Sequence, residues 1–173
     1  MSRIYYLSST NSDLSGGLDF NLNLTTNIGS TPSTVTQTTA VGATDVARSF
    51  TQPLHPGLGG DNGYATETVT IDVSTANALI FLSVQAHRIN SAGAVQTSSS
   101  VTTEQQLSTT GIKTFTIAWL NPGGKGTWTS TDRLRIDFRT RNSGMGNQAV
   151  AFNTNDADSR VTTNFTTRTF SIS

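Results

Sequence analysis

Four arginines stand at odd-numbered positions, Arg133, Arg135, Arg139 and Arg141, in the run Arg-Leu-Arg-Ile-Asp-Phe-Arg-Thr-Arg, with Asp137 between them. An extended chain throws successive side chains to opposite faces, so the four guanidiniums share one face with neighbours about 7 Å apart. Planar guanidiniums bind carboxylates in two-pronged fashion, which suits a contact row against an acidic protein surface. The plainer expectation is a solvated face cross-paired to Asp or Glu. Lys125 and Trp128, in and just after a Gly-rich stretch, and His55, between Pro53 and Pro56, join the row as candidate partner-contact residues.

Other patterns carry less chemistry. His55 and His87 have no third ligand spaced to complete a zinc site. Asn153, Asn155, Asp156 and Asp158 make an oxygen-rich run of the kind Ca²⁺ takes, but without the Gly and terminal Glu of an EF-hand, so a turn capped by its own side chains is expected. Gly123-Gly124-Lys125-Gly126-Thr127 lacks phosphate-loop spacing, and no helix follows it. Neither histidine has a Gly-x-Ser-x-Gly turn to work with. Trp128, Tyr64 and Trp119 are the rings available to stack on a sugar, Trp128 foremost. The expectation is a protein that is not an enzyme, with no catalytic residue, no metal and no cofactor.

The elements that must hold these residues are strands. Leu18, Phe20, Leu22 and Leu24 repeat the two-residue period, Phe115, Ile117 and Trp119 alternate with Thr114, Thr116 and Ala118, and Val69, Ile71 and Val73 alternate with Thr70 and Asp72. Each pattern describes a sheet with one dry and one wet face. Leu79 to Val84 is apolar on both faces and marks a strand covered on two sides. No window of a dozen residues places apolar side chains at helical spacing. Strands are expected near 3 to 8, 18 to 25, 33 to 40, 45 to 52, 64 to 74, 78 to 90, 93 to 102, 111 to 120, 132 to 141, 147 to 153 and 160 to 172. Asn90 and Gly93 supply the turn of a hairpin. Residues 51 to 63 and 121 to 132, rich in Pro and Gly, read as loops. Residues 26 to 44, Ser/Thr-rich and weakly patterned, read as an edge strand or an arm ordered by a neighbour.

Composition agrees. Of 173 residues 31 are Thr and 20 are Ser, and Thr belongs on a half-buried sheet surface rather than in a helix interior. Eleven basic residues balance eleven acidic ones, which removes the electrostatic drive toward nucleic acid and leaves no polybasic arm for a membrane. The absence of cysteine closes thiolate metal sites and disulfides. The opening Met-Ser-Arg-Ile-Tyr-Tyr-Leu lacks a signal-peptide pattern, so synthesis in a cytosol is expected. The expected fold is a single all-β domain over residues 1 to 173, an antiparallel β-sandwich of jelly-roll type with little or no helix.

The run from Tyr64 to Val73, the strand Ile80 to Arg88 leading into Asn-Ser-Ala-Gly, Thr114-Phe-Thr-Ile, Thr131-Asp-Arg-Leu-Arg-Ile-Asp-Phe-Arg and the closing Thr167-Arg-Thr-Phe-Ser-Ile resemble, in content and order, virion structural proteins of tailed bacteriophages. The resemblance spans residues 3 to 172. It implies a virion protein made in the host cytoplasm, of the head-decoration or cement type, that bridges and stabilises capsid subunits. Its partners would be the major capsid protein or other virion proteins, with self-association in the particle and no nucleic acid or membrane. The second expectation is a glycan- or receptor-binding module of a phage tail or fibre, using Trp128 and loop Asn and Asp side chains.

Overall fold

The computed structural model describes residues 2–11, 14, 19–23, 32–51, 64–119 and 131–165. These form twelve strands: β1 (Ser2–Asn11), β2 (Asp19–Asn23), β3 (Ser33–Thr39), β4 (Thr44–Thr51), β5 (Tyr64–Thr75), β6 (Asn77–Ile89), β7 (Val95–Ser98), β8 (Gln105–Leu107), β9 (Gly111–Ala118), β10 (Arg133–Asn142), β11 (Gln148–Thr154) and β12 (Arg160–Phe165). No helix occurs among the described residues. The all-β, antiparallel fold expected from the alternating pattern is the one observed.

The strands belong to one sheet that curls until it is nearly closed. Its path runs β3-β11-β5-β12-β1-β2-β4-β10-β6-β7, with β9 on the other edge of β5 and β8 on β6. Among the described residues the β2–β4 pairing is parallel and the rest are antiparallel. The curl leaves a seam between β8 and β9, crossed by Gln105 Nε2 donating to Thr114 O at 2.6 Å. Inside lie Tyr5, Leu7, Leu22, Val69, Ile71, Val73, Leu82, Val84, Phe115, Ile117, Leu134, Ile136, Phe138, Val150, Phe152 and Val161. They are the same-parity residues of their strands, as the two-residue period requires.

Ser and Thr hydroxyls do part of the work of the sheet's backbone. The expected strand 93 to 102 is shorter than read, giving only β7, because regular pairing with β6 stops after Ser98 and resumes at β8. Along that gap Ala86 N donates to Ser99 Oγ (3.0 Å) while Ser99 N donates to Ala86 O (2.9 Å). Val84 N and Thr102 repeat the exchange through Thr102 Oγ1, both bonds at 2.9 Å. The edge of β6 is thus satisfied without a regular partner strand. The β6–β7 hairpin closes as expected: Asn90 Oδ1 accepts from Ala92 N and Ala94 N, and Gly93 takes φ 87°, a value that needs glycine.

The oxygen-rich run near 153 to 158 is a turn that holds itself. Asp156 Oδ1 accepts from Asp158 N and Ser159 N, Asn155 exchanges side-chain bonds with Ser9, and Asn153 Nδ2 donates to Asp72 Oδ2 at 2.6 Å. Within the segment 26 to 44, β3 ends the strand path, and residues 26 to 31 lie outside the described ones.

Candidate functional site

The strand register gives the molecule two unlike ends. Ser2 pairs with Asn164, Tyr6 with Asn23, Arg135 with Thr51, Thr66 with Ala118, Phe165 with Tyr64 and Arg133 with Ile89. The strand ends that border residues 52–63 and 120–130, together with Asn23 of β2, therefore gather at one end of the curled sheet, whereas Ser33 of β3, opposite Thr154 of β11, lies nearer the other. At the other end β3–β4, β5–β6, β8–β9 and β10–β11 are joined by links of one to five residues. Asn142 ties that end together: its Nδ2 donates to Thr39 O (3.0 Å) and Gly146 O (2.8 Å), and its Oδ1 accepts from Gly144 N (2.7 Å). The stretches read as loops, 51 to 63 and 121 to 132, are thus bordered by strand ends at the same end of the sheet.

His55, Lys125 and Trp128 lie outside the described residues. The four arginines do share one face of β10, and the expected solvated, acid-paired row holds at one end of it, where Arg141 stays 38% exposed beside Glu104, but not at the other. Arg133 is only 2% exposed. Arg135 Nε donates to Asp137 Oδ1 at 2.6 Å, Arg139 Nη1 to Gln85 Oε1 at 3.3 Å, and Arg141 Nη2 to Glu104 Oε2 at 2.7 Å with its guanidinium 4.3 Å from the centre of the Phe81 ring. The burial toward Arg133 has a physical cause. Long side chains lie down across the neighbouring strand β6, whose His87, Gln85, Ser83 and Phe81 share their face, and fold their charges onto partners within the sheet. Arg141 in turn holds the Glu104 carboxyl below its ordinary range.

Asp137 is the hinge of this face. His87 Nε2 stands 3.1 Å from Asp137 Oδ2, and His87 Nδ1 lies 2.7 Å from the exposed Ser98 hydroxyl. Burial alone would push the Asp137 carboxyl up, but His87 and Arg135 outweigh it and hold the group below the usual aspartate range. The connectivity Ser98–His87–Asp137 is that of a nucleophile, a base and an orienting carboxylate. Arg135 already claims the carboxylate, however, so the chain of contacts reads as a tie across β7, β6 and β10. It was not legible in the sequence, where Ser98 is eleven residues from His87 and thirty-nine from Asp137.

A second buried group was missed as well. Glu67 is fully buried on the inward face of β5, and Trp119 Nε1 donates to both of its carboxyl oxygens at 2.7 Å. Desolvation pushes its pKa up to about 8 against the opposing hydrogen bonds from Trp119 and from its own backbone. A parity signal for it did exist: Glu67 shares odd numbering with Val69, Ile71 and Val73. Trp119, 4% exposed, is packed inside rather than offered to a sugar.

No family model and no curated protein sequence matches the chain. Solved structures do. A CocE/NonD family hydrolase from Staphylococcus aureus superposes on 96% of this chain with a TM-score of 0.58 and 12% identity. The chain spans about a third of that hydrolase, 36% of its length, and at this identity the likeness is one of fold alone. A structure of infectious bursal disease virus, Gt strain, matches 76% of this chain and 31% of its own at 15% identity, with a TM-score of 0.38, too low to carry an argument.

Proposed function

We propose that the protein is a non-enzymatic structural component of a bacteriophage virion, a decoration or cement protein that is made in the host cytoplasm and bridges capsid subunits. The observation that carries this reading is the grouping, at one end of a nearly closed sheet, of the strand ends that border 52–63 and 120–130, with Asn23 of β2 beside them. A rigid sheet presenting several chain segments at one end is suited to gripping a neighbouring surface at many small points. Modest affinity per copy suffices, because a symmetric lattice offers many sites at high effective concentration. In this reading the paired charges on the outer face of β10 brace the scaffold.

The chain has two lysines, and the proposal separates them. Lys125 falls in the segment between β9 and β10, whereas Lys113 lies on β9 toward the short-turn end, its ammonium 2.8 Å from Thr109 Oγ1. Treating intact particles with an amine-reactive cross-linker should join Lys125 to the coat protein and leave Lys113 unjoined. Cross-links from Lys113 alone, or particles that resist heating equally well after the protein is stripped off, would refute the assignment.

A further inference from the structure

Arg88 is a cation on the apolar face of its strand. It follows Ile80, Leu82, Val84 and Ala86 at even-numbered positions of β6, and its register partner on β10 is Leu134, which lies fully inside. Directly opposed residues of an antiparallel pair point to the same side, so Arg88 belongs to the inner face, one residue from the end of β6 and at the pole that borders 120–130. On its other flank the register partner is Thr97 of β7, half-buried on that face.

The charge of Arg88 is left unanswered. Its Nε is sealed from water with no hydrogen-bond partner, while the residue as a whole is only half-buried, so the terminal nitrogens carry its exposure. Among the described residues no hydrogen bond or ion pair engages the Arg88 side chain or the Thr97 hydroxyl. Other arginines are provided for: Arg135 and Arg141 rest on carboxylates, Arg139 and Arg160 on neutral oxygens. Glu67, an acid of the same inner face, holds its proton up to about 8 and supplies no counter-charge at neutral pH. A guanidinium stripped of water behind and open in front gains more from an anion than one hydrated all round, because part of its hydration is already lost. Its two terminal nitrogens form a fork that matches two oxygens of one carboxylate or phosphate. The Thr97 side chain, about 5 Å away across the strand pair, brings a neutral donor to the same place.

We propose that Arg88 and Thr97 form a binding site for a small oxyanion, a carboxylate or a phosphate, gripped by the terminal nitrogens of Arg88 with the Thr97 hydroxyl as a further donor. The inference stands on β6, β7 and β10 and does not depend on the virion reading.

Thermal melting of the full chain near neutral pH tests it, with inorganic phosphate or acetate replacing chloride at constant ionic strength. At least one of the two anions should raise the melting temperature in a saturable way, as a ligand of the folded state must. A response to acetate assigns the carboxylate, and one confined to phosphate assigns the phosphoryl group. Arg88→Gln, which keeps a polar side chain at a half-buried position, should raise the half-saturating concentration by about tenfold or more. Thr97→Val keeps the shape and should raise it by about threefold. Arg160→Gln, which removes the same charge from β12, should leave the response as it was. A response that is absent, undiminished in Arg88→Gln or in Thr97→Val, or lost in Arg160→Gln overturns the proposal.

Discussion

Glu67 is the residue whose chemistry the fold changes most. In the unfolded chain it ionises near 4.5, whereas inside the sheet it holds its proton up to about 8. Between those values the folded state binds a proton that the unfolded state has released, so folding is favoured below 4.5 and loses about 1.4 kcal/mol per pH unit as pH rises toward 8. Glu67→Gln keeps the shape and an oxygen for Trp119 Nε1 while removing the titration. Urea unfolding should find the two proteins close at the acid end of this range and Glu67→Gln more stable at the alkaline end by on the order of 3 kcal/mol. Parallel stability curves for the two proteins would show that the carboxyl is ionised inside. The odd numbering of Glu67 could have placed it inside from sequence. Its partner could not be foreseen, because Trp119 reaches it from the end of another strand.

At the scale of elements, periodicity located most strands and failed where a strand has no single wet face. β5 and β9 obey the alternation, with Val69, Ile71, Phe115 and Ile117 inside and Thr70, Thr114 and Thr116 outside. β10 has the same written pattern, yet Arg133 and Asp137 are nearly as buried as Leu134, Asp137 held there by its ion pair with Arg135. A two-letter code of polar and apolar does not distinguish a solvated charge from a paired one. The gap after β7 was equally hidden, since Ser99 and Thr102 replace a strand's backbone with side-chain hydroxyls. At the short-turn end one side chain serves three backbone groups. Asn142→Ala would strand Thr39 O, Gly146 O and Gly144 N, and should cost about 2–4 kcal/mol in chemical denaturation. A change below roughly 0.5 kcal/mol, the usual scatter of surface substitutions, would show that water replaces it there.

For the whole molecule, the decisive pairing is between the first strand and the last. β12 lies between β1 and β5, with Tyr5 opposite Val161 and Val161 opposite Val69, so the curl has no continuous wall without it. Such long-range closure makes the sheet cooperative, and no part of it buries its apolar face independently. Deleting residues 160 to 173 should abolish the sharp unfolding transition and expose apolar surface to a hydrophobic dye. A truncated chain that still melts sharply would mean that β1 and β5 close directly on each other. None of this ordering is written in local periodicity, which fixes faces but not neighbours.

The unlike ends give the molecule a direction. Met145, 99% exposed, crowns the turn between β10 and β11, at the pole opposite the strand ends that border 52–63 and 120–130. A foreign epitope spliced in at that methionine would be carried facing outward by every copy seated by its other pole, which makes this turn the natural point for display.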